Sequence, residues 1–242
     1  MVRPAMTQHI GIVACSAEGA ALCYRTICEE AQQELGRHYH PEVSVHTHCL
    51  GEYMRFAEVD DWDGVAGLML SSAHKLHKAG ADFLICPDNT IHQAMRLVTP
   101  KSPLPWLHIA EEVANEARRR GYKRVGLTGT KYLVRSGVYP ERLEAAGIGY
   151  VRPNAAEREK INDIIFDELV HAIFTTKSLE YFQQVIERMK HEDCDAVVLG
   201  CTEIPLLVND ANSPLPTLDS TRLLARAALR RAIVPRMAAS PR

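Results

Sequence analysis

The chain predicts an α/β protein of two pseudo-symmetric lobes, each a parallel sheet flanked by helices, with the active site in the cleft between them. Three observations lead there. Apolar runs bounded by polar or turn residues, the pattern of buried strands, alternate with amphipathic helical stretches. The segment Asp82-Phe83-Leu84-Ile85-Cys86-Pro87-Asp88-Asn89-Thr90 is echoed 113 residues later by Asp195-Ala196-Val197-Val198-Leu199-Gly200-Cys201-Thr202-Glu203. Gly11-Ile12-Val13-Ala14-Cys15-Ser16 is likewise echoed by Gly126-Leu127-Thr128-Gly129-Thr130.

Taken in order, the first strand is His9 to Ala14. It runs through Cys15 and Ser16 into a helix over Glu18 to Leu35, whose apolar face takes Cys23 and Cys28 as small core residues. A strand from Val43 to His48 and a helix from Trp62 to Ala79 follow. Strand Phe83 to Cys86 then delivers Asp88 to the start of a helix over Asn89 to Arg96, where an Asp serves as a cap. The three prolines of Thr99-Pro100-Lys101-Ser102-Pro103-Leu104-Pro105 break regular structure and divide a first lobe, 1–102, from a second, 103–218.

The second lobe opens with a strand from Trp106 to Ile109 and a helix from Glu111 to Arg120, whose closing arginines complement the helix dipole. Strands Val125 to Thr128 and Gly149 to Val151 come next, then helices Ala155 to His171 and Leu179 to His191. Strand Ala196 to Leu199 delivers Cys201 to a short helix, Thr202 to Val208, and Leu215 to Leu218 is the last strand. The final helix, about 219–235, follows a strand that closes the second lobe, and it is expected to return to the first.

Composition excludes several classes of function. A net charge of −2 without a clustered basic face argues against nucleic acid. No apolar stretch approaches the ~20 residues that span a bilayer, so no membrane partner is expected. Met1 to Gln8 has no leader pattern, and seven scattered cysteines fit a reducing, cytoplasmic setting. The cluster His38, His40, His46 and His48 has the wrong company for a metal, so no metal is expected.

In open parallel sheets, ligands bind outside the carboxyl ends of the strands. Four loops meet that description: Cys15 to Gly19, Asp88 to His92, Thr128 to Lys131 and Cys201 to Glu203. Their small hydroxyl, amide and thiol side chains, with helix N-termini behind them, suit a carboxylate. Cys201 at a helix N-terminus is expected to have a lowered thiol pKa. Asp88 holds the equivalent place in the first copy, as an acid–base group, a cap or a substrate-orienting group.

These residues resemble the aspartate/glutamate racemase family of cofactor-independent enzymes along essentially the whole chain. The resemblance is carried by the loop through Cys15-Ser16 and by Gly80-Ala81-Asp82 leading to Asn89-Thr90-Ile91-His92. Further matches are Leu107-His108-Ile109, Gly129-Thr130, Ile165-Phe166-Asp167-Glu168-Leu169 and Gly200-Cys201-Thr202-Glu203-Ile204. It implies a small amino-acid substrate, no cofactor, commonly a homodimer, and one proton-transferring residue on each face of the α-carbon. Asn89, Thr90, Ser16, Thr130 and Thr202, with Cys15 and Glu203 beside them, would stabilise charge on the substrate carboxylate.

Two departures matter. The cysteine expected directly before Asn-Thr is Asp88; Cys86 comes two residues too early and is expected to lie buried below the site. Where relatives often carry a lysine after Ile173-Phe174 this chain has Thr175, with Lys177 two residues on. The leading reading is a racemase of aspartate or glutamate using Asp88 and Cys201. The alternatives are a single-cysteine decarboxylase or isomerase of the arylmalonate decarboxylase type, and a catalytically inactive carboxylate-binding relative. Glu203 caps or orients Cys201 in each of them, and His92 is either a site residue or a core histidine.

Overall fold

A computed structural model describes residues 7–233, and the chain divides into two compact units. The first unit takes the chain as far as Pro87, Ala94–His108, and the chain from Leu224. The second takes Asp88–Gln93 and Ile109–Leu223.

In the first unit, β1 (Ile10–Ala14) is followed by α1 (Ala17–Leu35), β2 (Val43–Thr47), α2 (Leu50–Ala57), α3 (Trp62–Lys78), β3 (Phe83–Ile85) and α4 (Met95–Val98). The sheet order is β2-β1-β3, all parallel. Ile10, Ile12, Val13, Phe83, Leu84 and Ile85 are fully buried, as a sheet covered on both faces requires. Helix starts are set by side-chain caps: Ser16 Oγ accepts from Gly19 N at 3.2 Å, and Asp61 Oδ1 accepts from Gly64 N at 2.8 Å.

The strand expected from Trp106 to Ile109 is a single bridge. Trp106 pairs with Leu84 in parallel, Leu84 N donates to Pro105 O at 2.8 Å and Leu107 N donates to Leu84 O at 3.0 Å. Prolines 103 and 105 offer no N–H to a ladder, and Ile109 already opens the next helix, so nothing longer forms.

In the second unit, α5 (Ile109–Arg119), β4 (Arg124–Thr128), α6 (Lys131–Arg135), α7 (Val138–Ala145), β5 (Gly149–Val151), α8 (Ala155–Asp167), α9 (Thr176–His191), β6 (Ala196–Leu199), α10 (Ile204–Leu207) and β7 (Thr217–Asp219) precede α11 (Ser220–Ile233). Its order, β5-β4-β6-β7, repeats that of the first sheet, with β7 where Trp106 bridges β3. Side chains of β6 alternate between two cores. Val197 and Leu199 meet Ile161, Ile165, Phe182 and Met189, whereas Ala196 and Val198 meet Val113, Tyr139 and Leu143. Helices α8 and α9 thus cover one face, α5 and α7 the other.

The acidic residue that opens each copy of the repeated segment performs the same task in each unit. Asp82 Oδ2 accepts from His9 N at 2.8 Å, and Asp195 Oδ2 accepts from Lys123 N and Arg124 N at 2.6 and 3.0 Å. Each carboxylate ties its strand to the start of the neighbouring one; a bond of this charge-assisted kind is worth about 1.5–3 kcal/mol.

Three other differences from the expected elements have local causes. The helix expected from Ala155 to His171 ends at Asp167 and passes into a 3₁₀ turn, Leu169–His171, which stops where Ala172 turns left-handed with φ 56°. The helix expected over Asn89 to Arg96 is a 3₁₀ turn, Thr90–Ala94, that passes into α4. Helices α2 and α7 were not expected, being short and interrupted in pattern by Gly51 and Pro140. Positions 234 and 235, in the expected range of the last helix, lie outside the described residues.

Candidate active site

The segment Asp88–Gln93 leaves β3 and clusters with the second unit, the unit that carries Cys201. Three side chains bind it there. Asn89 Nδ2 donates to Ser220 Oγ at 3.0 Å while Asn89 Oδ1 accepts from Tyr139 Oη at 2.7 Å. Thr90 Oγ1 shares a hydrogen bond of 3.1 Å with Thr130 Oγ1, the cap of α6. His92 Nδ1 donates to Asp88 O at 2.6 Å and its Nε2 accepts from Ile109 N at 3.3 Å.

Those two bonds fix the His92 tautomer, with the proton on Nδ1. Burial pushes its pKa from 6.5 down to about 4, so the ring is neutral near pH 7. His92 is therefore a core histidine that pins the backbone of Asp88. The carboxylate of Asp88 caps the 3₁₀ turn Thr90–Ala94, accepting from Ile91 N at 3.2 Å through Oδ1. Cys86 is fully buried at the end of the same strand.

On the Cys201 side, two glycines set the approach. A Cβ on Gly200 would sit 2.6 Å from Thr128 O, and one on Gly129 would sit 3.0 Å from Gly200 O. Gly129 also has φ 151°, open to glycine above other residues. The loops after β4 and β6 can meet only because neither carries a side chain at these points.

Cys201 is half-buried, with Thr202 and Glu203 buried beside it. Its Sγ–H donates to Glu203 Oε2 at 2.9 Å, and Thr202 Oγ1 donates to the same oxygen at 2.8 Å. The expected lowering of the thiol pKa is not what the environment produces. Burial first, then the negative charge of Glu203 and the charge of Asp88, push it well above its ordinary value. The helix that was to lower it is only α10, Ile204–Leu207, too short and too late in the chain to offset two carboxylates. Cys201 rests as a thiol, oriented by Glu203.

Asp88, Asn89, Thr90, His92, Thr130, Cys201, Thr202 and Glu203 thus all belong to the second unit. Cys15 and Ser16 belong to the first, at the end of β1, where Ser16 caps α1. Lys177 is exposed in the first turn of α9 and lines a separate cavity of about 240 Å³ with Glu168 and Tyr181. Sequence reading missed Tyr139 and Ser220. Tyr139 sits on the unexpected α7, and Ser220 falls in the range expected for the final helix with nothing in the sequence to mark it as a site residue.

Among the described residues no group of three or more His, Cys, Asp or Glu side chains could hold a metal, and no helix is long and apolar enough to cross a membrane. None of the seven cysteines is in a disulfide.

Residues 10–228 match the family model described as Asp/Glu/Hydantoin racemase. The broad specificity amino-acid racemase RacX of Bacillus subtilis is 25% identical over 69% of this chain and 71% of its own length. A glutamate racemase of Hydrogenobaculum is 27% identical over 61% of this chain, a match that spans 56% of that enzyme. Among solved structures, a Yersinia pestis protein provisionally assigned as an Asp/Glu racemase is 30% identical, with TM-score 0.86 over 93% of this chain and 99% of its own. An aspartate racemase homologue from Pyrococcus horikoshii is 27% identical, with TM-score 0.81 over the same shares.

Proposed function

The chain belongs to the Asp/Glu/Hydantoin racemase family, isomerases that work without pyridoxal phosphate, and we propose that it interconverts the L and D forms of a small acidic amino acid through Asp88 and Cys201. The observation that carries the reading is the pairing itself. Asp88 and Cys201 end equivalent strands of a repeated topology, belong to one compact unit, and the charge of Asp88 acts on the Cys201 thiol.

With reference pKa values of ~3.9 for Asp and ~8.5 for Cys, the resting pair is carboxylate plus thiol. The Asp88 carboxylate takes the α-proton, and the electron pair left on the α-carbon delocalises into the substrate carboxylate. The Cys201 S–H turns from Glu203 and protonates the opposite face. The enzyme is then left with Asp88 protonated and Cys201 as thiolate, and this form serves the reverse direction. Reference values alone place that tautomer roughly 6 kcal/mol above the resting one, and the raised Cys201 thiol widens the gap. Protonating Asp88 removes one of the charges that oppose the thiolate.

Thr90 and Thr130 suit the substrate carboxylate, since one of their two hydroxyl protons is spent on their mutual bond and the other can point outward. Thr202 and Glu203 set the S–H direction, Asn89 and His92 set the Asp88 backbone, and Lys177 takes no part. The reading extends to a homodimer, as the family resemblance implies, and to a reducing cytoplasm, in keeping with seven cysteines that form no disulfide.

A one-face reaction at Cys201, as in a decarboxylase, is favoured by one observation: Asp88 Oδ1 is engaged by Ile91 N. Variants separate the readings. Two-base racemisation predicts that Cys201→Ala abolishes inversion and that Asp88→Asn lowers it by at least about a hundredfold. An Asp88→Asn variant that inverts substrate at the wild-type rate excludes the second base.

A further inference from the structure

We infer that Tyr139 and Ser220 are positioning residues for the proposed racemisation: with Asn89 they form a buried clamp that holds the Asp88 loop at a fixed distance from the strand end carrying Cys201. The inference rests on the racemase reading. Tyr139 Oη donates to Asn89 Oδ1 at 2.7 Å, Asn89 Nδ2 donates to Ser220 Oγ at 3.0 Å, and Ser220 Oγ donates to Leu199 O at 2.8 Å. Asn89 directly follows Asp88, and Leu199 is two residues before Cys201. The relay therefore begins in α7, passes the neighbour of one proton-transfer residue and ends on the strand that delivers the other.

Its polarity has no freedom. Because the Leu199 carbonyl can only accept, the Ser220 hydroxyl must donate to it and can then only accept from Asn89. That sets the carboxamide with nitrogen toward Ser220 and oxygen toward Tyr139, whose hydroxyl must donate. All three side chains are buried, with exposures of 3% for Asn89, 2% for Tyr139 and 0% for Ser220. Removing any member of this buried linear relay leaves a neighbouring polar group without its partner, so the loss is felt as movement of the loop. The segment is also tied by Thr90 to Thr130 and by His92, which joins Asp88 O to Ile109 N; these ties lead to elements other than α7 and the strand that carries Cys201.

Two-base proton transfer is sensitive to such movement, since reacting atoms a tenth of a nanometre out of place cost on the order of a hundredfold. Cys201 has its own support in Glu203 and Thr202, independent of the relay. Loosening the clamp should consequently impair the Asp88 face and spare the Cys201 face.

The test compares Tyr139→Phe, Ser220→Ala and the double variant with wild type, using L- and D-aspartate and L- and D-glutamate in deuterated buffer. Inversion is followed by chiral chromatography, and α-proton exchange with retention by proton NMR; thermal midpoints show that each variant is folded. The expected result is that inversion falls roughly 10- to 100-fold with KM little changed. For one enantiomer, exchange with retention falls much less, so its ratio to inversion rises. The double variant should be no worse than the worse single variant, because both act through one relay. Exchange and inversion falling in equal proportion, inversion unchanged, or additive losses in the double variant each overturn the clamp. A wild-type protein that neither exchanges nor inverts any of the four amino acids refutes the racemase reading, and with it any catalytic role for the clamp.

Discussion

Acid pH should weaken this fold through His92, by an amount that follows from its surroundings. The ring is buried with both nitrogens committed, one donating to Asp88 O and one accepting from Ile109 N, and its pKa falls from 6.5 to about 4. Because the folded-state value is the lower one, the unfolded chain binds the proton first. The stabilisation is complete above pH 6.5 and drains away as pH falls toward 4. Integrating between those values gives a loss of about 2 kcal/mol at pH 5 and about 3 kcal/mol by pH 4. Other groups also titrate in this range, so the measurement is a difference. Urea unfolding of wild type and His92→Gln is compared at about pH 8 and about pH 5. The glutamine keeps an acceptor for Ile109 N and has nothing to titrate. The variant should be less stable at the higher pH, and its deficit should shrink by about 2 kcal/mol at the lower. A deficit that does not change with pH, or an imidazole titrating near its ordinary value in the folded protein, refutes the assignment of His92 as a neutral buried pin.

Further predictions concern the Cys201 side. Glu203→Gln removes one of the two charges that raise the thiol, so the pH midpoint for alkylation of Cys201 by iodoacetamide should move down; an unmoved midpoint means Glu203 does not act on the thiol. Gly200→Ala would put a Cβ 2.6 Å from the backbone oxygen of Thr128, which cannot rotate away as a side chain could. It should cost about 1–3 kcal/mol in urea unfolding and reduce turnover, and a variant as stable as wild type contradicts the close approach of the two loops.

The repeated segment made the architecture legible, because apolar runs and their flanking Asp82 and Asp195 are local signals with one structural meaning. The strand ends carrying Asp88 and Cys201 followed from the same signal. What could not be read was anything depending on partners distant in sequence. Asn89 presents the same letters whether its amide faces a ligand or, as here, Tyr139 and Ser220, which are 50 and 131 residues away. The Cys201 thiol misled for a similar reason. A helix N-terminus is a local cue that lowers a thiol pKa, but burial and the charges of Glu203 and Asp88 outweigh a four-residue helix. Trp106 marks the opposite case, where a strand-like run is cut to one bridge by the prolines before it and the helix after it.

The most direct test of the central claim is proton NMR of the wild-type protein in deuterated buffer with each enantiomer of aspartate and glutamate, followed by chiral chromatography. Two-base racemisation through Asp88 and Cys201 predicts that the α-proton signal disappears as the opposite enantiomer appears, deuterated at the α-carbon, with equal kcat/KM ratios required by an equilibrium constant of one. Loss of the α-proton with full retention of configuration would contradict it, leaving chemistry on the Cys201 face alone.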